Sequence, residues 1–237
     1  MPPTVLTICM LTASHAFAAG GAKPYDPTKA TARPPREYGQ FGPFDYYDTK
    51  NTPRNALPLV ESGHFGSKTF ELARLGDWCF YWGDLDYTLR AFPNHPRALV
   101  AMAEYLETRQ ACETKRSSSS SPEDLAAEIE KGLWREHNAD FYFQKAIEFR
   151  PQYAATHVLY GKYLRKAGRR DDALEQFADA EKLEPQSADA QYYLGLIYLD
   201  KGDNAKAKQH AERAYRLGQQ QTELKERLVK AGLWGGK

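Results

Sequence analysis

Residues 151–184 read PQYAATHVLYGKYLRKAGRRDDALEQFADAEKLE, and residues 185–218 read PQSADAQYYLGLIYLDKGDNAKAKQHAERAYRLG. Set one above the other, the two 34-residue lines align Pro151 with Pro185, Gly161 with Gly195, Ala173 with Ala207 and Ala180 with Ala214. A fixed internal period outranks other fold signals, because each copy must then be one supersecondary unit. Each line predicts two helices, over 155–167 and 171–183 in the first copy, joined by Gly168-Arg169-Arg170. Tyr160, Leu164, Leu174 and Phe177 recur at helical spacing and are expected between the layers. Gly161 and Gly195 admit the close approach of a neighbouring helix, and the four alanines mark close helix contact. Gly168 and Gly202 are placed to end the first helix of each pair. Pro151 and Pro185 stand where one unit stops and the next begins, since proline cannot continue a helix.

On these residues the sequence resembles the tetratricopeptide repeat family, a 34-residue helix–turn–helix solenoid. The resemblance covers residues 151–218. The family's tryptophan position is occupied by His157 and Gln191, while the packing positions are kept. It implies an all-α, helical-hairpin solenoid with an irregular N-terminal segment, and no particular activity.

Carried upstream, the same frame places Ala139, Phe143, Ala146 and Pro151 in a second helix, and its first helix over 92–106. Pro93 and Pro151 lie 58 positions apart where 34 are expected, so this unit holds an insertion at about 110–133. Its serine run, 117–121, predicts a loop, and Ser121-Pro122-Glu123-Asp124 predicts a capped helix start. Leu125, Ile129 and Leu133 would form one stripe of a short extra helix. Residues 84–92 supply the second helix of an earlier, degenerate unit. Residues 222–233 read as a capping helix, with Leu224, Leu228 and Leu233 inward, as repeat arrays need polar-backed ends. The array is thus expected over 84–218, with a cap and tail over 219–237.

Ahead of the array the character changes. Residues 1–18 carry no Asp, Glu, Lys or Arg, hold the apolar run Val5–Leu11 and end in Ala16-Phe17-Ala18. That small-x-small ending fits a signal peptide cleaved after Ala18. Pro24, Pro27, Pro34 and Pro35 make 19–37 an extended linker. Over 38–83, aromatic residues interleave with Gly, Pro and Asp, a pattern of turns and irregular backbone. Their rings are expected to pack over the end of the helical array. Residues 41–46, 57–61 and 83–93 also resemble a front module of exported bacterial repeat proteins. Without the leader, Cys79 and Cys112 remain. They are the pair that a disulfide would join in an oxidising compartment, and two free thiols are the alternative.

The 237 residues carry 32 Lys and Arg against 31 Asp and Glu, a net charge of +1. That balance argues against a nucleic-acid binder, which needs a basic excess on one face. No run of ~18 apolar residues marks a membrane span. The six histidines show no metal-ligand spacing, and no nucleophile elbow, P-loop or dinucleotide fingerprint occurs. Asp84 and Asp86 lie two apart and on a helix would face different ways. No catalytic residue, cofactor or metal site is nominated.

The family resemblance implies that first helices line a concave groove. Its phase projects Val158, Lys162 and Arg165 against Tyr192, Leu196 and Leu199, with Arg97, Val100 and Glu104 extending the face. The Lys and Asn clamp of chaperone-tail binders is not kept at Val158, Lys162, Tyr192 and Leu196, so a free C-terminal carboxylate is not an implied ligand. The expected role is an interaction scaffold or adaptor in the periplasm or outside the cell, holding another protein or peptide. A small-ligand pocket between the aromatic segment and the repeats is the alternative, and docking of a second copy a third. If residues 1–18 act as a leader, intact-mass measurement of exported protein should place its first residue at Ala19; an exported chain still carrying Met1 refutes that reading.

Overall fold

The computed structural model describes residues 41–66, 82–117 and 138–235. Residues 1–40, the stretch 67–81 with Cys79, and most of the insertion lie outside them, as does the side chain of Cys112. The described elements are helices: α1 Ala56–His64, α2 Trp82–Ala91, α3 Pro96–Ser117, α4 Ala139–Phe149, α5 Ala154–Lys166, α6 Arg170–Leu183, α7 Ala188–Asp200, α8 Asn204–Arg216 and α9 Glu223–Lys230. No strand occurs among the described residues. Hairpins α5–α6 and α7–α8 are the two copies read from the sequence, and α3–α4 is the unit with the insertion. First helices touch along the stack, α3 to α5 and α5 to α7, while α4 meets α5 and α6 meets α7.

The joints follow from local chemistry. Gly168 and Gly202 adopt φ of 78° and 79°, a left-handed conformation that glycine reaches without a Cβ penalty. At the first joint the Gly168 amide donates to the Arg165 carbonyl and the Arg169 amide to Leu164. The same pair of bonds, from Gly202 and Asp203 to Leu199 and Tyr198, closes the second joint. These bonds occupy carbonyls that a helix end leaves without partners.

Close packing repeats as the joints do. Ala173, Phe177 and Ala180 of α6 are buried, as are Ala207, Ala211 and Ala214 of α8. Phe177 fills the hollow that Gly161 leaves: a Cβ built on Gly161 would lie 2.6 Å from the ring. At Gly195 the corresponding neighbour is a methyl of Leu224, on the cap helix, also at 2.6 Å. Helix α7 is buried on every residue from Ala190 to Ile197, because α5, α6, α8 and α9 all pack against it.

The two positions that depart from tryptophan carry polar side chains into this packing. His157 Nδ1 lies 3.0 Å from Gln176 Oε1, and His210 Nδ1 lies 2.8 Å from Gln191 Oε1. One period on from His157 stands Gln191, and one period on from Gln176 stands His210. The pair is therefore kept with its members exchanged. Each repeat also ties this position to the proline that opens its own unit, His157 to the Pro151 carbonyl and Gln191 to Pro185. Hydrogen-bonded in this way, a buried polar pair costs little where an unpaired one would be destabilising.

Two sequence readings change. Helix α3 runs on to Ser117, so the insertion begins as helix; Glu107 to Lys115 contain good helix formers and no glycine or proline stop. The segment 38–83, expected to be irregular, contains α1, whose Pro58 sits in the first turn, where its missing N–H has no intrahelical acceptor to lose. Phe41, Phe44 and Tyr46 pack with Ala56, Val60, Ala91 and Phe92 in a small core of their own.

A buried carboxylate fastens this leading segment to the array. Asp45 accepts from Asn94 Nδ2 at 2.8 Å, the Tyr47 amide at 3.0 Å, Arg150 Nε at 2.8 Å and the Tyr153 hydroxyl at 3.1 Å. Burial pushes its carboxyl up, yet these four bonds outweigh that and hold it below the usual carboxylate range. Two substitutions separate the packing terms. Gly161→Ala should lower unfolding free energy in urea by about 1–2 kcal/mol, since crowding a packed ring outweighs the gain in helix propensity. Gly195→Ala should stay within about 0.5 kcal/mol, because the close atom is the far methyl of a flexible leucine side chain, which can change rotamer. For the polar pair, His157→Ala should cost about 1–2 kcal/mol, while the exchanged double variant His157→Gln with Gln176→His should come back to within about 0.5 kcal/mol.

Candidate functional site

A cleft of about 530 Å³ opens on the side of the stack formed by α3, α5 and α7. Its apolar floor includes Val100 and Ala103 of α3, Phe143 of α4, Leu159 and Tyr163 of α5 and Tyr193 of α7. These rings are held, not loose. Phe143 stacks on Tyr160 and Tyr163 at 5.0 and 5.6 Å between centroids, and Tyr193 stacks on Phe177 at 5.0 Å with the planes 8° apart. Beneath them Asp140, buried, accepts from the Tyr160 hydroxyl at 2.7 Å and is clamped by Arg169 through both oxygens. Burial and that carboxylate hold the Tyr160 hydroxyl well above its ordinary range.

The rim is charged. Lys166 reaches Glu107 at 2.6 Å, and Asp200 is taken by Arg227 at 2.6 Å with Arg170 further off at 3.8 Å. Arg165 pairs through Nη2 with Glu223 of the cap helix at 2.8 Å, while its Nε is buried without a hydrogen-bond partner. Lys162 sits with its ammonium 5.4 Å from the centre of the Tyr193 ring, and among the described residues no carboxylate pairs with it. The acids of the rim are thus engaged, and donor capacity is left over at Lys162 and Arg165.

Of the residues projected from the sequence, Lys162 and Arg165 line the cleft, together with Val100 and Glu104. Five others lie elsewhere. Val158 is buried in the main core, 5% exposed. Tyr192 and Leu196 are buried at 1% and 0%. Burial, then the Glu223 carboxylate, pushes the Tyr192 hydroxyl up to about 12. Leu199 is half-buried against the core, and Arg97 lies over the Phe65 ring at 5.5 Å, at the leading segment. At Val158 and Tyr192 the projected face is one residue away from the cleft, and one residue turns a helix by about 100°. Leu159 and Tyr193, the next residues along and themselves 34 apart, take the places projected for Val158 and Tyr192. The cap helix adds a second displacement, since α9 packs against α7 and covers part of the face that an open array would present. No spacing rule foretells the contribution of Glu107, which depends on how far α3 extends. Among the described residues no group of acids, histidines and cysteines is arranged to hold a metal ion.

Residues 160–222 match the tetratricopeptide repeat family. No curated protein matches the chain in sequence. Among solved structures, PilF of Pseudomonas aeruginosa is similar at 19% identity and a TM-score of 0.49, over 74% of this chain and 70% of that one. MamA is similar at 18% identity and a TM-score of 0.43, over 69% and 84%. YrrB, described as a repeat protein with an unusual peptide-binding site, is similar at 20% identity and a TM-score of 0.34, over 75% and 97%. The family match is confined to residues 160–222, from within α5 to the residue before α9.

Proposed function

We propose that this chain, a tetratricopeptide-repeat protein through its second half, is an interaction scaffold that holds a segment of another protein in the cleft between α3, α5 and α7. Stacked helix pairs present extended surfaces to other polypeptides, and no helix among the described residues is long and apolar enough to cross a membrane. The observation that carries the reading is the pairing of an apolar floor with leftover donors: Lys162 over Tyr193 without a carboxylate, and Arg165 with an unpartnered Nε. A segment that sets an apolar or aromatic side chain between Leu159 and Tyr193, and a carboxylate or carbonyl toward Lys162, would use both. Tyr193 offers large contact area at small entropic cost. The leader-like residues 1–18 support a place for this scaffold in the bacterial envelope.

A small-ligand pocket at the front of the array has less behind it. Where the leading segment is described, its junction with the array is filled by Phe44, Phe92 and the hydrogen bonds of Asp45. Charge reversal tests the favoured reading. Purified protein carrying Lys162→Glu should recover a crosslinked partner from envelope extracts about tenfold less well than the unaltered chain, equivalent to ~1.4 kcal/mol. Lys182→Glu, an exposed change on α6, should leave recovery unchanged. Equal recovery by the Lys162 variant removes the cleft as the contact surface.

A further inference from the structure

His95 opens α3, the helix that supplies one wall of the cleft. It is followed by Pro96 in the first helical position, where proline is favoured, and its carbonyl accepts the first turn's bond from Leu99 at 3.0 Å. Serine, threonine, aspartate and asparagine are the usual residues at a helix start, because a side-chain acceptor must take an unpartnered amide. Here imidazole does that work. The Ala98 amide donates to His95 Nδ1 at 3.2 Å. An amide can only donate, so Nδ1 carries no proton. The proton of the neutral ring is therefore on Nε2, which faces Glu61 Oε1 of α1 at 3.2 Å and donates to it. The tautomer is fixed from both sides.

The ring is fully buried, between Tyr46 at 4.7 Å and Phe65 at 4.9 Å. Asn94, the preceding residue, accepts from the Tyr46 amide at 3.0 Å and donates to Asp45. Three pieces thus meet at one imidazole: the start of α3, helix α1 and the leading segment. A second proton could go only to Nδ1, where it would point at the Ala98 N–H. The acceptor that caps α3 would be lost, and a charge would be placed in a side chain that is fully buried. Among the described residues, the charged or titratable groups facing His95 are Glu61 from α1, Tyr46 from the leading segment and Arg97 from α3 itself.

We propose that His95 is a proton-sensitive cap of α3, through which acidification loosens the first turn of α3, the leading segment packed on it and the adjoining wall of the cleft. The consequence for partner binding rests on the cleft being the binding site; the loosening itself does not. Val100, Ala103 and Glu104 lie within three turns of the cap, so a frayed start to α3 alters the surface the partner meets. Burial pushes the imidazole below its ordinary value of 6.5; the Glu61 carboxylate opposes this and Arg97 adds to it. A base whose folded value is depressed contributes stability that is complete above its unfolded value. That contribution is lost as pH falls from about 6.5 toward the lower folded value.

Amide hydrogen exchange followed by NMR between pH 7.5 and 5 reads the device directly. After correction for intrinsic rates, protection at Ala98 and the amides that follow it in α3 should fall by up to about tenfold per pH unit below 6.5, the limit for one proton. Protection in α7 should stay level. His95→Asn supplies a capping side chain that does not titrate, and should keep α3 protected with no pH dependence. Ring carbon shifts of His95 in the unaltered protein should report the Nε2–H tautomer at pH 7.5, whether or not the variant folds. A protonated Nδ1 at that pH, or α3 protection independent of pH in the unaltered chain, overturns the proposal. So does an equal pH response in the Asn variant. If the exchange behaves as expected while Lys162→Glu leaves partner recovery intact, the cap stands and the cleft assignment falls.

Discussion

A pair of α-helices cannot bury its own apolar side, and everything in the ordered array follows from how the next pair covers it. The constraint is tightest where Phe177 of α6 enters the hollow at Gly161 of α5. A helix whose neighbours approach that closely can carry only glycine and alanine at the contact, which is why Ala173, Ala180, Ala207 and Ala214 recur in phase. Interior packing at near-crystalline density leaves no slack for larger side chains at these sites. The last pair has no successor, and α9 takes its place by setting Leu224 and Leu228 against the stack. Cap and repeat obey one rule.

Polar groups inside this packing are organised by the same period. A tryptophan at the positions of His157 and Gln191 would contribute area; the chain uses an imidazole–amide pair instead, and reverses its order in the next unit. The exchange is chemically neutral because one member donates and the other accepts in either arrangement. In the second unit the pair is extended, since Gln191 also donates to Glu181, which receives Arg213. Specific hydrogen bonds fix the stagger of neighbouring helices where apolar contact alone would tolerate sliding. The leading segment follows a similar logic, with Asp45 gathering donors from three separate stretches of chain.

Legibility fell away with distance along the chain and with dependence on neighbours. The period, the glycine joints, the close-contact alanines and the inward leucines of the cap were all readable, because each reflects a local requirement repeated in place. The start of α1 was not, because Pro58 reads as a breaker until its position in the first turn is known. The length of α3 was not legible for the opposite reason: the serine run 117–121 signals a loop, while the helix formers of residues 107–115 carry the helix on to Ser117. That Lys162 and Arg165 lie on the side of α5 that faces this cleft was readable from the family resemblance. Tyr193 and Leu159 were not, although their 34-residue separation was in view, because the face a helix shows depends on what covers its other sides.

Sequence alone determined that this chain stacks helix pairs of fixed length, where they turn and which small residues let them touch. It could do so because those demands act within a few residues of each site and recur with the repeat. Tertiary structure alone decided which face stays open. Tyr192 and Leu196 are covered by helices distant in sequence, and the acids at the rim are taken up by cations brought from α5 and α9. Which donors remain for a partner is a difference between groups that meet only after folding. That remainder has no signature in the order of residues.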